Sequence, residues 1–252
     1  MDWGRAKTIM IVSFLLLNIL LGYQQWSKRA DYTTSTTDTA DLEQETTKLL
    51  NDHRIKVETQ IPSDIPKLPQ LTGKLSDKFR NSTKVMFQKP IPYSGGLLVR
   101  NTLRDVMQQI GIEHVSSYKV DTALSKQGEI VYLQTVDDYP LFEYAVTLYE
   151  SGNEITGYKQ SYIEVQSGGD PREQRVISAY TAIRRLTENG FLPESSIIQD
   201  VRMGYHGQRF DSDTQYMLPF WRISTRAGVS YYVQAFTGEV LEGQLTSQML
   251  KR

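Results

Sequence analysis

The sequence predicts an α+β protein: one N-terminal transmembrane helix, then an extracytoplasmic domain of two tandem helix-plus-antiparallel-sheet modules. Three observations predict it. A single apolar run occupies the N-terminus. Two segments with helical apolar spacing each end at a glycine, Gly111 and Gly190, 79 residues apart. Strand-like runs bounded by turn residues follow each of those segments, the arrangement that packs helices on one side of an antiparallel sheet.

Bulk composition sets the bounds. The chain has 252 residues and a formal net charge of −1, so no electrostatic pull toward nucleic acid is expected. Without Asp2, Arg5, Lys7, Lys28 and Arg29, the remainder holds 24 basic and 28 acidic residues. That balance argues against a polybasic surface for wall polymer or headgroups. Cysteine is absent. Disulfides, thiolate metal sites, a cysteine nucleophile and a lipoprotein anchor are excluded with it.

The first element runs from Thr8 to Tyr23. At helical rise this apolar run covers roughly 24 Å, a little short of a ~30 Å hydrocarbon core. Trp3 and Trp26 bracket it, and with Tyr23 they suit the membrane interface, where an aromatic ring has one apolar and one wet side. Lys7, Lys28 and Arg29 can extend their charges outward. Leu20-Leu21-Gly22-Tyr23-Gln24-Gln25-Trp26 lacks the A-x-A-like pattern of a cleavage site, so an uncleaved anchor over residues 8–26 is expected rather than a removed signal. Flanking charges nearly balance, and the short head, residues 1–7, is expected in the cytoplasm on length alone. Phe14, Leu17, Asn18 and Leu21 fall on one face at i, i+3, i+4, i+7. Asn18 has two readings: a bond to a partner helix, or to its own backbone or the interface.

Residues 27–92 read as a juxtamembrane stretch. Asp31 to Asp41 is polar and Thr-rich without apolar period. A short helix is expected around Leu42, Leu49 and Leu50, then an edge strand over Lys56–Ile61. Pro62, Pro66 and Pro69 keep the following chain extended.

The first module, residues 93–167, opens with LLVRNTLRDVMQQIG, which puts Leu98, Leu103, Val106 and Ile110 on one face. HVSSYKV, EIVYLQTV, LFEYAVTLYE and EITGYKQSYIEV then read as strands. Gly168-Gly169 reads as a turn between modules. The second module, residues 168–252, repeats the order. EQRVISAYTAIRRLTENG places Val176, Ala179, Ile183 and Leu186 on a helix face, and SIIQDVRMGYH, MLPFWRISTR and VSYYVQAFTGEVLE follow as strands. Pro140 and Pro219 are also 79 apart, each expected to open an aromatic strand, and the matched landmarks point to duplication.

No catalytic, cofactor-binding or metal-binding residues are expected. His53, His114 and His206 sit in no ligand spacing, and no nucleophile elbow, SxxK pair or phosphate loop occurs. Asp137 and Asp138 are adjacent, which on a strand sends them to opposite faces. The fifteen tyrosines suit cross-strand pairing more simply than a ligand platform.

The opening Met1-Asp2-Trp3 with Lys7-Thr8-Ile9 before a short apolar span resembles the YycI (WalI) family of Gram-positive bacteria. Pro219-Phe220-Trp221-Arg222-Ile223 with Ser230-Tyr231-Tyr232-Val233-Gln234-Ala235-Phe236 is similar to the family's closing strands, and the internal Pro140-Leu141-Phe142-Glu143-Tyr144 resembles the family as well. The resemblance implies a single-pass membrane protein with an α+β extracytoplasmic domain. It also implies action with a sister protein, YycH, on the cell-wall histidine kinase YycG (WalK), through transmembrane helices in contact with membrane lipid. It implies no enzymatic activity and no cofactor. An anchored extracytoplasmic ligand-binding or inhibitory module is the alternative, and an anchored hydrolase is the least supported by the residues.

Overall fold

A computed structural model describes residues 7, 10–22, 39–75, 77–80, 83–93, 100–166, 173–208 and 214–241. Contacts divide the chain into two units, residues 1–45 and 46–252. In the first unit, residues 10–22 form helix α1. Helix α2 (Thr39–Asp52) begins at the end of this unit and runs into the second.

The second unit is mixed α+β. After α2 come β1 (Lys56–Val57), β2 (Lys67–Leu68), β3 (Leu71–Leu75), α3 (Asp77–Arg80) and β4 (Val85–Pro92). Next are α4 (Arg100–Gln109), a 3-10 turn (Val115–Ser117), β5 (Tyr118–Lys126), β6 (Glu129–Val136), β7 (Tyr139–Ser151), β8 (Glu154–Gln160) and β9 (Ile163–Gln166). The last elements are β10 (Gln174–Arg175), α5 (Ala179–Glu188), β11 (Ile197–Gln208), β12 (Thr214–Thr225) and β13 (Ser230–Gln234).

Eleven strands share one hydrogen-bonded system. One half is an antiparallel array in the order β4-β8-β7-β6-β5. The other runs β9-β3-β12-β11, with β13 also on β12 and β1 parallel to β11. The halves join at one ladder position, Tyr205 beside Leu141. Gly204 makes that approach possible. A Cβ there would lie 2.5 Å from both the Phe142 ring and the Pro140 carbonyl oxygen.

Each half buries a helix on one face. Leu103, Val106 and Met107 of α4 pack with Ile130, Val146 and Leu148. Ala179, Ala182, Ile183 and Leu186 of α5 pack with Ile198, Trp221 and Val233. A third cluster, Val131, Leu133, Phe142, Ala145, Phe220 and Tyr232, draws on both halves. Between β8 and β9 the chain crosses from one half to the other. The buried Gln134 side chain fixes the crossing: its Nε2 donates to the Ile163 carbonyl (2.7 Å) and its Oε1 accepts from the Ile163 N–H (3.0 Å).

Several expectations need correction. The helix expected from Glu173 starts only at Ala179, because Ser178 is extended and its hydroxyl accepts from the Thr181 N–H, a side-chain cap. Gln174 and Arg175 pair with β2 instead. EITGYKQSYIEV is two strands rather than one, broken by the crossing at Ser161-Tyr162. The edge strand after α2 has two residues, not six. Pro219 does not open a strand; it lies inside β12. The site tolerates it because the β3 ladder reaches only to Met217, opposite Leu71, and the β13 ladder only to Phe220, opposite Gln234, leaving a gap in that edge. The Pro219 carbonyl accepts from Ala235 N–H on that side, so the missing N–H faces the gap. Asp137 and Asp138, both at positive φ, form the two-residue turn joining β6 to β7. Leu98 and Gly168-Gly169 lie outside the described residues.

Candidate functional site

Helix α1 presents every side chain from Met10 to Leu21 to solvent within its unit. Phe14, Leu17, Asn18 and Leu21 are among them and share one helical face by spacing. An apolar helix this exposed is unstable in water and needs a nonpolar surrounding or a partner. Among the described residues no helix is long and apolar enough to cross a membrane. The helix is described through residue 22; residues 8–9 and 23–26 of the expected span, with Trp3, Tyr23 and Trp26, lie outside the described residues.

In the second unit the chemistry gathers where the two halves meet. Arg222, on β12, is fully buried in an otherwise apolar run. Its Nη2 donates to Asp121 Oδ2 on β5 and to Asp200 Oδ2 on β11, both at 2.8 Å. Arg202 on β11 approaches the same carboxylates, with Nη1 at 3.1 Å from Asp121 Oδ2 and Nη2 at 3.4 Å from Asp200 Oδ1. Asp121 Oδ1 accepts from the Leu124 N–H. Two guanidiniums and two carboxylates thus balance in charge. The donors do not balance: Arg222 Nε and Nη1 have no hydrogen-bond partner. The Phe142 ring lies 5.2 Å from the guanidinium carbon, a contact that favours a desolvated cation.

Position explains the electrostatics. Burial works against the Arg222 charge, but Asp121, and after it Tyr232 and Asp200, outweigh it and hold the guanidinium above its ordinary pKa. Burial pushes the Tyr232 phenol up to about 12; Arg222 pulls it down and Asp121 pushes it up.

A second buried polar pair stands beside the junction. Glu143 on β7 meets His206 Nδ1 on β11 and accepts from the Gly207 N–H at 3.2 Å. The His206 ring stacks on Tyr232 and meets Phe220 edge-on. His114, at positive φ, stacks on Tyr162 at 4.1 Å, while His53 follows the end of α2. The three histidines are not brought together, and among the described residues no group of His, Cys, Asp and Glu is placed to hold a metal.

A half-open cleft of about 350 Å³ adjoins the charge cluster. Its walls come from β5, β6, β7, β11 and β12, and from the proline segment at Pro62, Asp64 and Pro66. Asp121 and Arg202 line it, with Lys119 and Asp138. Its apolar lining includes Leu133, Val201, Met203 and Trp221.

Sequence reasoning missed both the cluster and the cleft. One signal was present: Asp121 and Asp200 are 79 apart, the interval that separates Gly111 from Gly190. Each is the fourth residue of the described region's strand that starts at Tyr118 or Ile197.

A family model described as YycI protein matches residues 75–236. No curated protein matches. Among solved structures, the chain is similar to the Bacillus megaterium YpeB C-terminal domain, with 12% identity over 82% of this chain and 99% of that one, at a TM-score of 0.35. It is also similar to an uncharacterized protein from Eubacterium rectale ATCC 33656, with 10% identity over 84% of each chain and a TM-score of 0.38.

Proposed function

The chain belongs to the YycI family, and on that premise we propose that it is a non-enzymatic, membrane-anchored regulator of the cell-wall histidine kinase YycG (WalK). It acts with YycH, through helix contacts inside the membrane. The observation that carries this reading is the family match over residues 75–236, joined to an N-terminal helix whose apolar side chains are all exposed. Residues 8–26 would cross the membrane once, with residues 1–7 in the cytoplasm and the α+β unit outside. Trp3, Tyr23 and Trp26 would sit at the interfaces.

The mechanism is a shift of populations. A kinase with two helix arrangements responds only to a partner that binds one of them better. A differential of ~1–3 kcal/mol changes their ratio roughly 5–150-fold. Packing of Phe14, Leu17 and Leu21, with an interhelical hydrogen bond from Asn18 worth about 0.6–2 kcal/mol, supplies a differential of that size. Replacing Phe14, Leu17 and Leu21 by alanine and Asn18 by leucine, at constant length, tests it. The expected outcome is kinase output in cells equal to that of a deletion strain, with the protein still in the membrane. Unchanged output would sink the helix mechanism.

The alternative, an anchored ligand-binding or inhibitory module, is favoured by the cleft of about 350 Å³. In that case any anchor would serve, and the same four-residue replacement would leave function intact.

A further inference from the structure

The cleft and the charge cluster share two residues, Asp121 and Arg202. Together they define what the cleft can recognise. Each guanidinium carries five N–H donors. Arg222 places a single nitrogen on both carboxylates and leaves Nε and Nη1 without partners. Arg202, half-buried at the cleft wall, holds Asp200 only at 3.4 Å. Arg222 is fully buried and does not line the cleft, so of the cluster's donors only those of Arg202 can meet a ligand there.

The charges of the lining point the other way. Its two cations, Lys119 and Arg202, stand against three carboxylates, Asp64, Asp121 and Asp138. Lys119 is already paired with Asp138, and Asp121 with both arginines. Asp64 is exposed and has no ion-pair partner among the described residues. A phosphate or another bare anion would meet this excess of carboxylates. A ligand that fits brings carbonyl acceptors to Arg202, an apolar group to Leu133, Val201 and Met203, and a cation to Asp64. One short stretch of extended polypeptide carries all three. The volume is at the lower end of the ~300–1,000 Å³ range of ligand pockets, which suits a few residues only.

We propose that this cleft binds a short extended segment of a partner polypeptide, one bearing a basic side chain beside an apolar one. The inference does not depend on the kinase or on the membrane helix. Charge complementarity at the cleft wall carries it: main-chain carbonyls accept from Arg202, which holds Asp200 only at 3.4 Å, and the basic side chain offsets Asp64.

The test uses the full chain in detergent micelles and two probes, acetyl-Leu-Lys-Val amide and acetyl-Leu-Glu-Val amide. Binding is read by calorimetry and by the NMR shift of the Trp221 indole N–H, which lines the cleft and donates to the Ile177 carbonyl. The lysine peptide is expected to bind about tenfold or more tightly than the glutamate peptide. Asp64→Asn removes that preference, and because Asp64 is exposed the variant keeps its fold. Arg202→Gln weakens both peptides, with the melting temperature checking that the fold survives. Equal affinity for the two probes, no binding of either at millimolar concentration, or a lysine preference that survives Asp64→Asn would each overturn the proposal.

Discussion

At the scale of single residues, Arg222 is the side chain with most at stake. A buried cation persists only when carboxylates compensate it, and removal of one partner leaves the others charged in a dry site. Arg222→Met is therefore expected to destabilise the protein by about 3–5 kcal/mol, toward the lower end because Arg202 still reaches Asp121. Urea unfolding measures it. Adding Asp121→Leu should recover part of the loss, because the stranded carboxylate is then gone. Additive losses in that double variant would mean that Arg222 acts through packing alone. None of this was legible in the sequence. Arg222 sits in an apolar strand run, and its partners lie 101 and 22 positions away, so only the folded chain brings them together. The 79-residue interval between Asp121 and Asp200 was readable but carried no chemistry without Arg222 between them.

At the scale of elements, helices were the most legible. Leu103 and Val106, and Ala179, Ile183 and Leu186, repeat at helical spacing and are buried. Gly111 and Gly190 end their segments at positive φ, as a left-handed helix terminus requires. β6 coincides with the run EIVYLQTV. β3 and β4 escaped notice. Leu71–Leu75 holds a glycine, and Val85–Pro92 holds Pro90 and Pro92, residues that argue against a central strand and are tolerated here by the edge position of β4. The join between the halves was invisible too, because it rests on one close approach. Gly204→Ala tests that join. Its Cβ would meet the Phe142 ring and the Pro140 carbonyl at 2.5 Å, so a loss of about 1–3 kcal/mol is expected, as for other overpacked sites. Gly207→Ala, with its nearest side-chain atom at 3.4 Å, should cost clearly less. Equal thermal shifts for the two variants would count against a tight junction at Gly204.

At the scale of the whole molecule, tyrosines set an alkaline limit on stability. Burial pushes Tyr93 up to about 12, with the hydrogen bond that its phenol donates to Glu150 adding to it, and Tyr232 reaches about 12 as well. Tyr118 and Tyr205 are also raised, chiefly by burial. Unfolded tyrosine loses its proton near pH ~10. Between pH 10 and 12 the unfolded chain therefore holds fewer protons than the folded one, and stability falls as pH rises. Below that window these groups contribute their full share. A pH titration should show tyrosinate absorbance and loss of circular dichroism rising together above pH 10. Complete tyrosine ionisation near pH 10 with the fold intact would contradict it. The α+β class was readable from the alternation of two helical segments with strand runs, whereas the meeting of both halves around one arginine was not.

Regulation through the membrane helix is the central claim, and one measurement tests it most directly. The full-length protein is co-purified with the YycG kinase from membranes, beside a version whose residues 8–26 come from an unrelated single-pass protein. The account predicts recovery of the kinase with the natural helix and its loss with the exchanged one, both versions being equally abundant in the membrane. Equal recovery with the two helices would contradict it, and would move the contact to the α+β unit.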